Sequence, residues 1–233
     1  MRGVVLAAGE GTRMRPLTDD KPKPLVEVDG KPMLERCFDS LAEAGAEEFV
    51  VVVGYESEKI VEIYGDEYGG RRVRYAHQTE RDGLAHALLQ AEPYVEDDFL
   101  LAHGDNVFAP SAHDDLRAVA RSDADATLLV EELTEEEARN TAVVVTREGS
   151  VVDIVERADE PPSTLSVVGF YALPPAVFDA CRSTKESERG ERELGDALSS
   201  LAETHDVRAV RLDGERVNVN SPEDIETAEE ILR

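Results

Sequence analysis

The sequence predicts an α/β domain with a mostly parallel central sheet and a less regular second half. Two observations lead there. Short apolar runs alternate with segments of helical periodicity through residues 1–124, and after that strand-like segments dominate. A third bounds the answer: 233 residues with 41 % hydrophobic content can bury one sizeable core, and neither an internal repeat nor a low-complexity linker interrupts the pattern.

The elements follow in chain order. "GVVLAA" (3–8) is a continuous apolar run, as expected of a strand covered on both faces. Residues 32–45 place Met33, Leu34, Cys37, Phe38 and Leu41 at helical spacing, with Gly45 where the helix should stop. "EFVVVVG" (48–54) predicts a second buried strand, "SEKIVEIYG" a helix, "RRVRYAH" (71–77) a strand, "GLAHALLQAEPYV" a helix and "DDFLLAHGDN" (97–106) a strand with a polar tip. From about residue 125, "ATLLVEEL", "TAVVVTREGSVVDIVE" and "LSVVGFYAL" are strand-like, and "REGS" predicts a hairpin turn. Helices are expected over 174–182, 192–204 and 222–232, with a late strand at 207–212. Ser221-Pro222 followed by Glu223 and Asp224 has the form of a helix start: serine at the cap, proline in the first turn, acids at the positive end of the dipole.

Composition excludes several classes of function. There are 51 acidic and 25 basic residues, a net charge of −26, and the acids are dispersed rather than gathered in one tail. This predicts a solvated acidic surface of the halophilic type, which repels a nucleic-acid backbone, so no nucleic-acid partner is expected. No apolar run approaches the roughly 18–20 residues of a membrane span, so no membrane partner is expected either. The N-terminus leads straight from an apolar stretch into glycines without a cleavage-like site, and Cys37 and Cys181 belong to no CxxC, so a cytoplasmic location is expected. The five histidines lack HxxxH or HxxH spacing, which argues against zinc, and no GxSxG or cysteine signature supports covalent catalysis.

Against that acidic background, "LAAGEGTRMRPLTDDKPKP" (6–24) concentrates two arginines and two lysines in one glycine-containing loop. A glycine turn after a first strand offers backbone N–H groups to phosphate. Two familiar phosphate loops fail here: the dinucleotide fingerprint needs a third glycine where Met14 stands, and a Walker A loop needs Gly-Lys-Ser/Thr.

What remains, GxGTRMxPLT followed by KPKPL, resembles the sugar-phosphate nucleotidyltransferases, which join a nucleoside triphosphate to a sugar 1-phosphate and release pyrophosphate. The resemblance continues in order through "QTERDGLAHAL" (78–88), "HGDN" (103–106), "IVE" (154–156), "VVGFY" (167–171), "GERELGDAL" (190–198) and "VNVNSPEDIETAEEIL" (217–232). It implies a Rossmann-like three-layer α/β/α domain with a small mixed β portion for the sugar. Residues 1–124 would form a nucleotide-binding half and 125–233 a sugar-phosphate-binding half. It also implies Mg²⁺ as cofactor and a nucleoside triphosphate and a sugar 1-phosphate as ligands.

Within the resemblance, Arg13 and Lys23 are the expected catalytic cations, since in-line nucleotidyl transfer needs mainly positioning and charge stabilisation. Leu6, Ala7, Ala8, Gly9, Gly11 and Thr12 would cradle the nucleotide, with Gln78 and Gly83 reading the base. Asp105, at the end of an apolar strand, suits Mg²⁺. A second ligand is expected at Asn220 or Asn218: Asn218 falls where relatives carry the aspartate of a Trp-x-Asp pattern, Asn220 where shorter-linked relatives place theirs. Asn106, Ala142, Glu156, Arg157, Gly169 and Tyr171 are the expected sugar-phosphate residues. Asp196 is open between a site role and a helix surface, and His103 is expected as a strand-end residue.

The sugar side departs from the pattern: Ala142 stands where relatives carry glycine, and Glu156-Arg157-Ala158 replaces Glu-Lys-Pro. Arg and Lys are not interchangeable at close range. The glucose-1-phosphate thymidylyl- and uridylyltransferases are the nearest resemblance; Ala8, where thymidylyl members often carry glycine, leaves uridylyl or guanylyl specificity open. A cytidylyltransferase for a phosphorylated alcohol and a nucleotide-sugar-binding regulatory subunit are the rival expectations. The chain closes directly after its last expected helix, so any homo-oligomer is expected to form through the core domain.

Overall fold

The computed structural model describes residues 1–80 and 82–233. The first half contains β1 (Arg2–Ala7), β2 (Glu27–Val28), β3 (Lys31–Pro32), α1 (Met33–Glu43), β4 (Glu48–Val53), α2 (Ser57–Tyr64), β5 (Glu67–Tyr68), β6 (Arg71–His77), α3 (Leu84–Leu89), β7 (Phe99–His103), β8 (Asn106–Phe108) and α4 (His113–Ala120). The second contains β9 (Ala126–Glu132), α5 (Glu135–Ala138), β10 (Ala142–Arg147), β11 (Ser150–Glu156), β12 (Leu165–Leu173), α6 (Ala176–Ser183), α7 (Leu194–Ala202), β13 (Val207–Arg211), β14 (Arg216–Asn218) and α8 (Pro222–Ile231).

One sheet runs through both halves in the order β10-β11-β13-β9-β12-β7-β1-β4-β6-β5. The block β7-β1-β4-β6 is parallel, whereas β12 lies antiparallel to both β7 and β9. Side chains alternate across it with period two. Val4 and Leu6 of β1, Val50 and Val52 of β4, and Phe99 and Leu101 of β7 pack with Leu88 of α3, Phe178 of α6 and Leu198 of α7. Val5 and Ala7, Phe49, Val51 and Val53, and Leu100 and Ala102 pack with Phe38 of α1, Ile60 of α2 and Leu116 of α4 on the other face. Burial on both faces is why these strands are uninterrupted apolar runs, and helices on both faces make the three layers the family resemblance implies. The hairpin turn sits at Glu148-Gly149, both at positive φ (54° and 89°), as a tight β10–β11 connection needs.

Two predicted elements are shorter than expected. The helix beginning at Leu84 ends at Leu89, and a separate turn at Glu92–Tyr94 holds Pro93, which has no N–H for a continuing helix. The 97–106 strand breaks after His103, and β8 pairs with β14 instead of with the main sheet. The short helices α4 and α5 were not legible from periodicity.

A third, smaller apolar cluster decides the geometry of the site. Met14 from the cationic loop, Val26, Val28, Met33, Val107, Val219 and Ala228 of α8 pack together. It fastens the C-terminal segment onto the N-terminal loop. Among the described residues no helix is long and apolar enough to cross a membrane, and both cysteines are buried and free.

With a net charge of −26, the folded chain carries considerable self-repulsion. Raising KCl from about 0.1 M to about 1 M shortens the screening length roughly threefold. Thermal unfolding is therefore expected at higher temperature in the concentrated salt; a midpoint that falls would contradict this.

Candidate active site

Strands β1 and β7 are parallel neighbours with Leu6 opposite His103, so the segments that follow them emerge at the same carboxyl edge of the sheet. This is the edge at which open α/β sheets bind ligands. After β1 the chain turns through Thr12–Met14, and again at Lys23–Leu25. The two turns touch. Gly11 has φ +66°, and a Cβ there would stand 2.7 Å from Lys23 Cβ, so both conformation and space require glycine. Thr18 Oγ1 donates to the Gly11 carbonyl at 2.9 Å and holds the loop closed.

The C-terminal segment enters from the other side. β14 pairs antiparallel with β8, setting Asn218 opposite Asn106, and the Val219 N–H donates to the Asp105 carbonyl at 2.8 Å. The Asp224 carboxylate accepts from the backbone N–H groups of Asn220 (2.8 Å) and Ser221 (2.7 Å), fixing the start of α8. Asn220 Oδ1 then accepts from Arg13 Nη2 at 2.9 Å and from Lys23 Nζ at 3.0 Å. Lys23 Nζ also donates to Asp105 Oδ2 at 3.4 Å, and Asn220 Nδ2 donates to Asn218 Oδ1 at 2.7 Å.

Five residues spread over two hundred positions thus meet in one polar knot. Lys23 is only 13 % exposed at its side chain, and burial lowers its pKa while Asp105 pulls the other way. Its ammonium is a cation already lodged between a carboxylate and an amide oxygen. Among the described residues no group of three or more His, Cys, Asp and Glu converges, so no closed protein cage for a metal exists here. One carboxylate with amide oxygens is the donor set of a hard cation that keeps water and takes phosphate oxygens as its remaining ligands.

Two cavities open from this knot. The first, about 310 Å³, is lined by Leu6, Ala7, Ala8, Gly9, Lys23, Gln78, Gly83 and Asp105, together with Leu84, Ala87, His103 and Glu191. Of the expected nucleotide residues, Gly11 and Thr12 do not line its wall. Gly83 has φ +93°, and a Cβ would lie 2.4 Å from the Arg192 carbonyl oxygen; the backbone there is clamped, with Ala85 N–H donating to Arg192 O (3.0 Å) and Arg192 N–H to Asp82 O (2.8 Å). Gln78 Nε2 donates to the Gly83 carbonyl at 3.3 Å.

The second cavity, about 410 Å³, gathers all six expected sugar-side residues, Asn106, Ala142, Glu156, Arg157, Gly169 and Tyr171, with Arg13, Asp105, Asn218 and Asn220 on its inner wall. Burial is the main cause of a raised Glu156 carboxyl pKa, with Glu193 adding to it. Arg157 adopts φ +42°, an uncommon conformation for a residue with a side chain. Asn106 is nearly fully buried: its amide accepts from Arg216 Nη1 at 2.7 Å and donates to Asp105 Oδ1 at 3.4 Å, so it braces Asp105. Arg216 also grips Glu131 through Nε (3.1 Å) and Nη2. Asp196 lines neither cavity.

Sequence reasoning missed Arg216, Gly195, Asn140, Thr141 and Glu191. Glu191 and Gly195 fall inside the segment "GERELGDAL" (190–198), but no role was read for either; Arg216 stands in no motif, and only pairing β14 with β8 brings it to the wall. His103 lies between the two cavities and lines both, more than the strand-end role expected of it.

The class of protein follows. Residues 2–219 match the Nucleotidyl transferase family, to which the chain belongs, and its activity is nucleotidyl transfer. It is 48 % identical over 235 residues to the UTP–glucose-1-phosphate uridylyltransferase AglF of Haloferax volcanii, covering 100 % of this chain and 97 % of that protein. It is 33 % identical over 232 residues to the bifunctional protein GlmU of Methanocaldococcus jannaschii, spanning 54 % of that longer protein. A UDP-glucose pyrophosphorylase solved with UDP-glucose shares the fold at a TM-score of 0.88 and 24 % identity, over 98 % of this chain and 97 % of that one. The UDP-glucose pyrophosphorylase of Acinetobacter baumanii superposes at a TM-score of 0.85 with 26 % identity, over 98 % and 91 %.

Proposed function

We propose that the protein is a Mg²⁺-dependent uridylyltransferase that joins UTP to glucose 1-phosphate, giving UDP-glucose and pyrophosphate. The observation that carries this reading is the polar knot of Arg13, Lys23, Asp105 and Asn220 at the seam of two cavities. One cavity is built by the glycine loop and the Gln78–Gly83 pair, the other is polar and open to a sugar. The similarity to a uridylyltransferase over the whole chain favours uracil and glucose within that scheme.

In the reaction a phosphate oxygen of the sugar 1-phosphate attacks the α-phosphorus, and the bond from that phosphorus to the oxygen bridging α- and β-phosphates breaks. Both ligands are anions, and the chain's overall charge repels them, so local cations must hold them. Arg13 suits forked contact with phosphate oxygens and Lys23 acts as a point charge on the α-phosphate as charge develops. Asp105 and the Asn220 amide oxygen would hold Mg²⁺, which supplies charge neutralisation along the triphosphate. Leu6, Ala7, Ala8 and Gly9 supply the cradle in the first cavity, with Gly11 and Thr12 shaping the loop beneath the phosphates. Gln78 and Gly83 face the base. Glu156 accepts from sugar hydroxyls, and Arg157 reaches the sugar phosphate in place of the lysine of relatives. Ala142, Gly169 and Tyr171 shape the sugar wall. In this reading residues 1–124 serve the nucleotide and 125–233 the sugar, with the Asn218–Asn220 segment returning to complete the first half.

The geometry favours Asn220 over Asn218 as the second oxygen ligand, because Asn220 Oδ1 shares Lys23 with Asp105 while Asn218 reaches it through Asn220. Asn220→Ala is expected to raise the Mg²⁺ concentration for half-maximal turnover by about 10-fold or more, and Asn218→Ala by less. The reverse order would transfer the assignment to Asn218.

Pyrophosphate release tests the whole reading, measured over ATP, GTP, CTP, UTP and dTTP against several sugar and alcohol phosphates. UTP with glucose 1-phosphate should give the highest kcat/KM. Turnover only with CTP and a choline- or inositol-type phosphate would replace this reading, and ligand binding without turnover for any pair would make the chain a regulatory subunit.

A further inference from the structure

The first cavity holds two carboxylates. Asp105 belongs to the polar knot; Glu191 comes from the other half of the chain and is exposed. The segment that carries it is tightly built. The backbones of Glu186 and Arg192 pair as an isolated antiparallel bridge; Ser187 N–H donates to Glu191 O and Gly190 N–H to Ser187 O, both at 2.8 Å. Ser187 Oγ is tied to the buried Glu193 carboxylate at 3.0 Å. The next residue, Arg192, is the one whose backbone clamps Gly83. Glu191 is therefore held on a fixed turn directly beside the base-reading loop.

Among the described residues the Glu191 side chain makes neither a hydrogen bond nor a salt bridge. Arg189 lies close enough for the two charges to feel one another, but its guanidinium is committed to Glu193 at 2.5 Å. A carboxylate facing a triphosphate cavity repels phosphate and attracts hydrogen-bond donors. A uridine nucleotide offers few: the imide N–H of the base, which the Gln78 side addresses, and the ribose hydroxyls. The ribose joins the base at Gln78 and Gly83 to the phosphates at Lys23, so it must pass along this wall.

We infer that Glu191 accepts a hydrogen bond from the ribose 2′-hydroxyl and selects ribonucleotides over 2′-deoxyribonucleotides. This rests on the nucleotide reading of the first cavity, and it bears on what the loop motifs leave open, UTP against dTTP. The thymine methyl is a separate determinant, so the informative pair is UTP and dUTP, which differ only at the 2′ position.

A hydrogen bond to a charged acceptor contributes enough to predict a UTP over dUTP preference of about 10- to 100-fold in the unsubstituted protein. Calorimetric binding and kcat/KM for pyrophosphate release are both measured with each nucleotide. Glu191→Ala should bring the ratio to within about threefold of unity through loss of the UTP arm, and Glu191→Gln, which keeps an acceptor oxygen, should retain part of it. Glu188→Ala, an exposed acid on the same turn, should leave the ratio as it was. A ratio unchanged in Glu191→Ala, or already near unity in the unsubstituted protein, overturns the assignment while the uridylyltransferase reading stands. Failure to bind either nucleotide overturns both.

Discussion

Asp105→Ala should lower kcat for pyrophosphate release by about 10³-fold or more, with the fold intact, as expected when a preorganised charge at a phosphoryl centre is removed. Asp105 is the one carboxylate hydrogen-bonded to Lys23 among the described residues; without it the side-chain hydrogen-bond partner of both Arg13 and Lys23 is the neutral Asn220 amide. The Asp105 side chain is 30 % exposed and its contact with Lys23 is long at 3.4 Å, which limits the loss, but Lys23 is only 13 % exposed and losing its counter-charge costs some stability, so the fold is measured directly. The backbone tie from Val219 N–H to the Asp105 carbonyl survives any substitution of the side chain. Turnover followed across a Mg²⁺ titration, alongside far-ultraviolet circular dichroism, separates the two effects. Asp105→Asn should keep some activity and need more metal. Native-like spectra with turnover within tenfold of the unsubstituted protein would remove Asp105 from the site.

Arg216→Ala is expected to have the largest effect on stability. Its side chain is 11 % exposed and that of its partner Glu131 23 %, so most of this pair is out of water. Arg216 donates through Nε and Nη2 to Glu131 and through Nη1 to Asn106. Truncation leaves a largely buried carboxylate without its counter-charge and Asn106 Oδ1 without its donor. Breaking such a pair costs about 3 kcal/mol, which for a chain of this size lowers the unfolding midpoint by roughly 6–12 °C. Asn106 also braces Asp105, so kcat should fall further than the stability loss explains at temperatures where the variant is folded. Calorimetry decides: a midpoint within about 2 °C of the unsubstituted protein would show that water replaces the arginine at little cost.

The family was legible because its motifs are local. The phosphate binding proposed for this protein needs glycines and cations close together on one loop, and residues 6–24 hold both in one stretch. Strands buried on both faces must be continuous apolar runs, so β1, β4 and β7 were visible in "GVVLAA", "EFVVVVG" and "FLLA". Long-range pairing was not legible. Arg216 is one arginine among many until β14 lies against β8, and Glu191 one glutamate among many until Arg192 clamps Gly83. The choice between Asn218 and Asn220 had the same character. Their spacing permits either, and the side-chain directions at the start of α8, set by Asp224 and the Met14–Val219–Ala228 cluster, put Asn220 beside Lys23.

The sequence by itself determined the fold class, the family and the loop proposed to hold the triphosphate, since these depend on periodicity and on motifs within short windows. Only the tertiary structure decided how the C-terminal segment meets the N-terminal loop, which asparagine meets Asp105 through Lys23, and that Arg216 joins the wall of the second cavity. Those positions are set by contacts between residues far apart in the chain, and such contacts exist only once the sheet has brought its carboxyl edge together.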